Sequence, residues 1–343
     1  MEKISVIIPT FNRAGLLRRA IRSVVEATLP EDEIIVVDDG STDETPNVPA
    51  EFNRNIRYIP IVNSGAGVAR NVGISAASHD LIAFADSDDE WLPKRLDQQR
   101  PLMESRRDLV FSFSNFGQLF ADGRVESGWA QRWHQDQRSW EEILGPSKLC
   151  SELGPLPLGV VDVPVHIGRM YLRELHANYI NVNTLLVRRS LAGDALHFGE
   201  QLPTYEDWEC FGRISRVGIC AYLDVDTALQ RAHEGPRLTD ADTIRTSNAR
   251  LLVISRIWAE DPVFVRDHGL EMRAVKRKLQ RKLTRVHIYK GQFDQARLAA
   301  AEMGHGTFES ALLLLPSPLL RLALKVYVAS KKWTVKEKAI QTP

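Results

Sequence analysis

Three cysteines in 343 residues are too few, and an odd number, for a disulfide framework. Cys150, Cys210 and Cys220 form no Cys-x-x-Cys pair. A thiolate-built structural zinc is therefore excluded and a reducing compartment is expected. Neither sign of charge is in excess, with 44 Lys and Arg against 44 Asp and Glu, so bulk charge points to no nucleic-acid partner. No stretch reaches ~18 uninterrupted apolar residues, so no spanning helix is expected. The first residues run straight into Ile4-Ser5-Val6-Ile7-Ile8 without the basic lead and long apolar core of a signal peptide, and a cytoplasmic location is the expectation. What remains is an ordinary globular composition, 44% hydrophobic and 26% charged, with length for one large domain or up to two ordinary ones.

The first 110 residues alternate strand and helix signals. Ile4–Ile8, Glu33–Val37, Asn55–Ile61 and Leu81–Ala85 read as strands, and 14–27 and 65–77 as amphipathic helices. Apolar strands joined by helices imply an α/β fold with a mostly parallel central sheet covered on both faces. Residues 120–178 read as an irregular insertion packed on that sheet, with Trp129, Trp133 and Trp140 among polar residues. A strand at 183–189, a helix opened by Thr204-Tyr205-Glu206-Asp207-Trp208 and a strand at 219–223 follow. Beyond 240 the chain reads as helical, over 243–260, 268–289 and 291–303. Tyr289–Ala296 has the look of half a tetratricopeptide unit, but repeat folds need several copies. At 318–333, Arg321, Lys325 and Lys332 share one face of an apolar helix. Such a segment suits either an anionic membrane surface or packing on its own domain with the charges outward.

The residues that carry chemistry stand at strand ends. Asp86, Asp88 and Asp89 follow the apolar run Leu81–Ala85, where open α/β sheets bind ligands. Carboxylates so close repel one another, which a hard divalent cation offsets, and such a cation commonly shares its shell with substrate phosphates. Pro9-Thr10-Phe11-Asn12-Arg13 follows the first strand, and Asp38-Asp39-Gly40-Ser41-Thr42-Asp43 the second. Gly65-Ala66-Gly67-Val68-Ala69-Arg70 opens a helix whose N-terminus and guanidinium together favour an anion. Asp39 suits a ligand contact, although Asp-Gly-Ser is also good turn chemistry.

In order and spacing, Ser5–Arg13, Val36–Asp43 and Ala85–Asp89 resemble the signatures of the family 2 glycosyltransferases, which have the GT-A fold. The likeness covers about residues 3–235. It implies a catalytic domain over 1–238, divided into a nucleotide-binding half (1–115) and an acceptor-binding half (116–238), with a helical C-terminal region over 239–343. By the same resemblance Pro9, Asp39 and Arg70 line the nucleotide, Asp86 contacts the ribose, and Asp88 ligates Mn2+ or Mg2+ on the diphosphate. Asp207 is the implied catalytic base, with Glu206 and Trp208 near the acceptor. His233, in Arg231-Ala232-His233, joins the metal or diphosphate. Gln230-Arg231-Ala232-His233-Glu234 departs from the Gln-x-x-Arg-Trp of processive members, which favours adding one sugar or a few over extruding a polymer.

The resemblance implies an inverting, metal-dependent transfer from a nucleotide-sugar, a UDP-sugar being the expected donor. The acceptor is a hydroxyl of a saccharide or lipid-linked saccharide, as in cell-surface polysaccharide or glycolipid assembly, with peripheral contact at the inner membrane face. A phosphatase of the haloacid dehalogenase type also uses Asp-x-Asp, but Glu90 stands where it would want Thr or Val. A nucleotidyltransferase would place a glycine-rich loop directly after the first strand, where no glycine occurs before Gly15. A non-catalytic nucleotide- or saccharide-binding subunit has no use for the full carboxylate set.

Overall fold

The computed structural model of the chain describes residues 1–202, 204–232 and 242–303, with Leu313, Leu315, Pro316 and Leu319. His233 and nearly all of the basic segment at 318–333 lie outside the described residues. The chain divides into two compact units. One comprises Met1–Gln201 with Glu206–Gly235, the other Leu202–Tyr205 with Pro236–Pro343.

The larger unit is built on one eleven-stranded sheet. Strand β1 (Ile4–Thr10), helix α1 (Ala14–Ala27), β2 (Glu33–Asp38), β3 (Ile56–Pro60), α2 (Ala66–Ala76) and β4 (Leu81–Phe84) form the alternating strand and helix series that the sequence pattern anticipates. Every residue of β1 and β4 is buried, on both faces of the pleat, so both faces are covered. In α1, Leu17, Ala20, Ile21 and Val24 fall on the buried side. Then come β5 (Glu90–Trp91), α3 (Arg95–Ser105), the long β6 (Leu109–Leu119) and a run of short elements: β7 (Val125–Glu126), α4 (Ala130–His134), α5 (Trp140–Leu144), β8 (Ser147–Leu149), α6 (Cys150–Leu153), β9 (Pro164–Gly168) and α7 (Tyr171–Glu174). The unit closes with β10 (Leu186–Arg188), α8 (Arg189–Ala192), α9 (Glu206–Val217) and β11 (Ile219–Arg231).

The main strand order is β3-β2-β1-β4-β10-β6-β11-β9-β8. β1 pairs in parallel with β2 and β4, β2 with β3, and β6 with β11. β10 runs antiparallel to both neighbours, β4 and β6. β3, β2, β1, β4, β6 and β11 therefore all point one way, with a single reversed strand set into the middle. The segment 120–178 is less irregular than its sequence suggests, since β8 and β9 extend the sheet edge. Its tryptophans do pack on the sheet. Trp140 stacks on Tyr222 with centroids 3.7 Å apart, and Trp133 meets Phe116 edge-on.

Two sequence expectations need redrawing. The strand expected at 183–189 begins with a 3-10 turn at Val182–Thr184, because the Asn181 side chain accepts from Asn183 N at 2.9 Å and competes with the ladder. β11 extends far beyond 223, and register shifts between Leu223 and Leu229 hide its later part from any alternation rule.

The smaller unit contains α10 (Thr243–Ile257), α11 (Pro262–Tyr289) and α12 (Phe293–Ala301). Asp261 accepts from Val263 and Phe264 N, and Pro262 fills the first helical position. The expected start at 268 coincides instead with a break inside α11, where His268 is non-helical. Ile288, Phe293, Ala296, Ala300, Met303 and Leu313 form a small core in this unit.

Candidate active site

The marked residues of β1, β2, α2 and β4 stand together because parallel strands end on the same side of a sheet. The loop after β1 is tied to the loop after β2. Asn12 N donates to Ser41 Oγ at 2.7 Å, and Thr42 N donates to Asn12 Oδ1 at 2.8 Å. Pro9 lies in β1 opposite Val37, so its role in the described residues is to shape the strand end. Asp38 accepts from Ser41 N at 2.9 Å and from the Tyr58 hydroxyl at 2.6 Å, which makes it a framework residue. Asp39 is 6% exposed and accepts from two backbone groups, Ser64 N at 2.6 Å and Gly65 N at 2.8 Å. It thus fixes the approach to α2 while lining the strand end.

Gly65 enters α2 at φ +95, in the region glycine favours. Gly67 is required by space, since a Cβ there would lie 2.5 Å from Gly199 O. That close approach brings α2 against the segment leading to α9. Arg70, one turn on, is 5% exposed and joins the two halves of the site. Its Nη2 donates to Asp86 at 2.7 Å and its Nη1 to Glu206 at 3.0 Å, with Phe198 packed against the guanidinium. Coulombic attraction to both carboxylates outweighs burial and holds Arg70 firmly charged. Arg70 therefore organises carboxylates in this structure, where the sequence suggested an anion contact.

Asp86, Asp88 and Asp89 come together, each offering an oxygen within 4.8 Å of the others. An all-carboxylate donor set of this size fits a hard divalent cation such as Mn2+ or Mg2+. Burial, with the charges of Asp88 and Glu206, pushes the Asp86 carboxyl up against the opposing pull of Arg70. Asp88 is paired to Arg13 at 2.8 Å. Asp89 accepts from Asn183 Nδ2 at 2.8 Å and from Arg231 N at 2.9 Å, anchoring the far end of β11.

Downstream, Glu206 and Asp207 open α9. Asp207 is partly buried. It accepts from Trp208 N at 2.7 Å and from Asn178 Nδ2 at 3.3 Å. Burial first, and the charge of Glu206 second, push its carboxyl up to about 7, against Arg70 and the Trp208 N–H. Trp208 corrects the sequence reading: it is fully enclosed and its indole N–H donates to Glu174 O at 2.8 Å, so it packs beneath the site and presents no face to an acceptor. Asn183 was missed. Its Oδ1 accepts from Asp86 N at 2.6 Å while its Nδ2 holds Asp89, and the buried Arg95 in turn donates to Asn183 O at 2.9 Å. No motif marks a neutral amide nearly a hundred residues from the aspartates it holds. Glu174, also unmarked, is wholly buried, and the loss of water pushes its carboxyl well above the ordinary range.

A model of the family described as "Glycosyl transferase family 2" matches residues 5–156, which include the strand-end aspartates. Residues 5–156 are thus similar to a family 2 glycosyltransferase domain. Among curated relatives, a Bacillus subtilis protein named as a teichuronic acid biosynthesis glycosyltransferase, TuaG, is 36% identical over 124 residues, covering 35% of this chain and 49% of its own length. The Escherichia coli UDP-Glc:alpha-D-GlcNAc-diphosphoundecaprenol beta-1,3-glucosyltransferase WfaP is 35% identical over 119 residues, covering 34% and 47%. The chain thus spans about half the length of these family 2 relatives. Among solved structures, Staphylococcus aureus TarS 1-349 in complex with UDP-GlcNAc superposes with a TM-score of 0.59 at 17% identity, covering 94% of this chain and 87% of that one. Mannosyltransferase PcManGT from Pyrobaculum calidifontis, in complex with GDP-Man and Mn2+, gives 0.51 at 16% identity, covering 99% and 85%. These structures share the GT-A-type fold of the family 2 domain.

Proposed function

We propose that the protein transfers a sugar from a nucleotide-sugar, UDP-linked in our reading, to an acceptor hydroxyl with inversion, in the assembly of a cell-surface polysaccharide or glycolipid. The observation that carries the reading is the bridge made by Arg70. One guanidinium binds Asp86 of the nucleotide-side cluster and Glu206 beside Asp207, so the proposed donor and base groups are tied to one buried side chain. The relatives named for teichuronic acid and diphosphoundecaprenol-linked sugars support a saccharide or lipid-linked acceptor. UDP-GlcNAc in TarS supports a UDP-sugar donor.

In this mechanism residues 1–115 hold the nucleotide, with Asp39 at the base, Asp86 at the ribose and Pro9 shaping the floor. Asp88 would hold the divalent metal, which would supply Lewis-acid neutralisation of the departing diphosphate. Asp207 Oδ2 takes the proton of the acceptor hydroxyl as the oxygen attacks the anomeric carbon from the side opposite the diphosphate. Asn178 and Trp208 N orient that carboxylate, and Glu206, locked to Arg70, keeps its affinity for a proton high. His233 is proposed from sequence alone as a further contact to the metal or the diphosphate.

The test is release of nucleoside diphosphate and product from candidate nucleotide-sugars with Mn2+. Asp207→Asn should lower turnover by roughly two to four orders of magnitude while still binding donor. Asp88→Ala should lose both turnover and metal-dependent donor binding. Full transfer by either variant defeats the reading.

A further inference from the structure

Among the described residues, Arg13 and Arg70 both pair with the carboxylate cluster, and they differ in kind. Arg70 is buried and bound to two carboxylates on different elements, so moving it would undo the site. Arg13 lies 2.8 Å from Asp88, and its side chain is 30% exposed. Its backbone, by contrast, is pinned. Arg13 N donates to Thr45 Oγ1 at 3.0 Å, Ala14 N donates to Asp43 at 3.2 Å, and Asn12 on the other side adopts φ 50 and bonds to both Ser41 and Thr42. A long side chain on a fixed base, at the mouth of a cluster of like charges, can change partner without disturbing the fold.

We propose that Arg13 is a displaceable counter-charge for Asp88 and then a ligand for the donor's diphosphate. This rests on the reading of Asp88 as a metal-holding residue. With no cation bound, Arg13 offsets the repulsion among Asp86, Asp88 and Asp89. Arg13 and a divalent ion are both positive and compete for the same carboxylate, so Arg13 must yield when the ion takes Asp88. The released guanidinium stays within one side-chain length of Asp88, where it would be free to meet the phosphates of a donor. Its planar fork matches a diphosphate better than an ammonium does. Arg13 therefore opposes metal binding alone and favours metal and nucleotide together.

The signature is a pair of effects of opposite sign, which a merely structural arginine would not give. On the full chain, Mn2+ binding without nucleotide is followed by electron paramagnetic resonance, and UDP binding at saturating Mn2+ by calorimetry. Arg13→Gln should bind Mn2+ about three- to tenfold more tightly, the scale expected on removing one partly exposed ion-pair competitor. It should bind UDP roughly tenfold more weakly. Arg13→Lys, which keeps the charge and loses the fork, should leave Mn2+ affinity near that of the parent and still weaken UDP; it also serves if the glutamine variant does not fold. Unchanged or weaker Mn2+ binding in Arg13→Gln overturns the counter-charge role. Tighter Mn2+ binding with unchanged UDP binding overturns the transfer to diphosphate. If the parent protein binds no Mn2+ with or without UDP, the metal reading of Asp88 fails and takes this inference with it. If the parent binds Mn2+ and Arg13→Gln does not differ from it, only the inference falls.

Discussion

Asp207, the base in our proposal, is a carboxyl whose burial is costly to the fold. Its proton affinity is raised by burial and by Glu206, to about 7, well above an ordinary aspartate. The folded form thus holds the proton more tightly than the unfolded chain, so this group's contribution to stability falls as pH rises from about 4, the unfolded value, through about 7. Asparagine mimics the protonated form at every pH. Metal-free Asp207→Asn should therefore melt a few degrees above the parent at pH 8, with the gap closing toward pH 4; an equal gap at both ends of the range would show that the carboxyl is not perturbed. If it is the base we propose, the same group must be ionised to act, so turnover should rise with pH on the acid side of neutrality. At this scale the sequence was informative about charged residues and silent about neutral ones. Asp86, Asp88 and Asp207 announce themselves by strand-end or helix-start position. Asn183 and Asn178 do not, because an amide that orients a carboxylate is chemically ordinary until the fold brings it there. Trp208 was placed near the acceptor by its position beside Asp207, and only its enclosure shows otherwise.

Among the elements, α2 does the most to bring the site together. Its start is fixed by Asp39 acting on Ser64 and Gly65 N, and its first turn lies against the chain just before α9 through Gly67. A methyl group at position 67 would meet the backbone oxygen of Gly199, which cannot rotate away as a side-chain tip could. Gly67→Ala should cost about 1–3 kcal/mol in denaturant unfolding and weaken donor binding, because Arg70 rides on the displaced turn. A variant as stable as the parent and equally able to bind donor would show that the approach is not needed. The boundaries of α1, α2, β2 and β4 were legible because apolar spacing there is unbroken. Residues 181–188 and 219–231 were not, since an Asn-led turn and three register shifts interrupt the alternation that sequence reading depends on.

For the whole molecule, the alternation of strands and helices in the first 110 residues was enough to infer a mostly parallel α/β sheet, and its wider topology was not. Nothing in Leu186-Val187-Arg188 marks a strand destined for the centre of the sheet, since three residues are too few for a period. Among the described residues no helix is long and apolar enough to cross a membrane. The reversed strand β10 has a consequence for how the chain must be made. It sits between β4 and β6, yet it is synthesised about a hundred residues after β4. Until it arrives, β4 exposes an apolar edge with unpaired backbone groups, which invites pairing with another chain. The stretch matched by the family model ends at residue 156, before β10. A fragment cut there should aggregate or associate through β4, and one extended through β11 should remain dispersed, as light scattering after refolding would show; a monodisperse 1–156 fragment would count against this. A closing strand so late in sequence also makes the domain a slow, high-contact-order folder, so its nascent N-terminal third has to be kept from its neighbours while the remainder is translated.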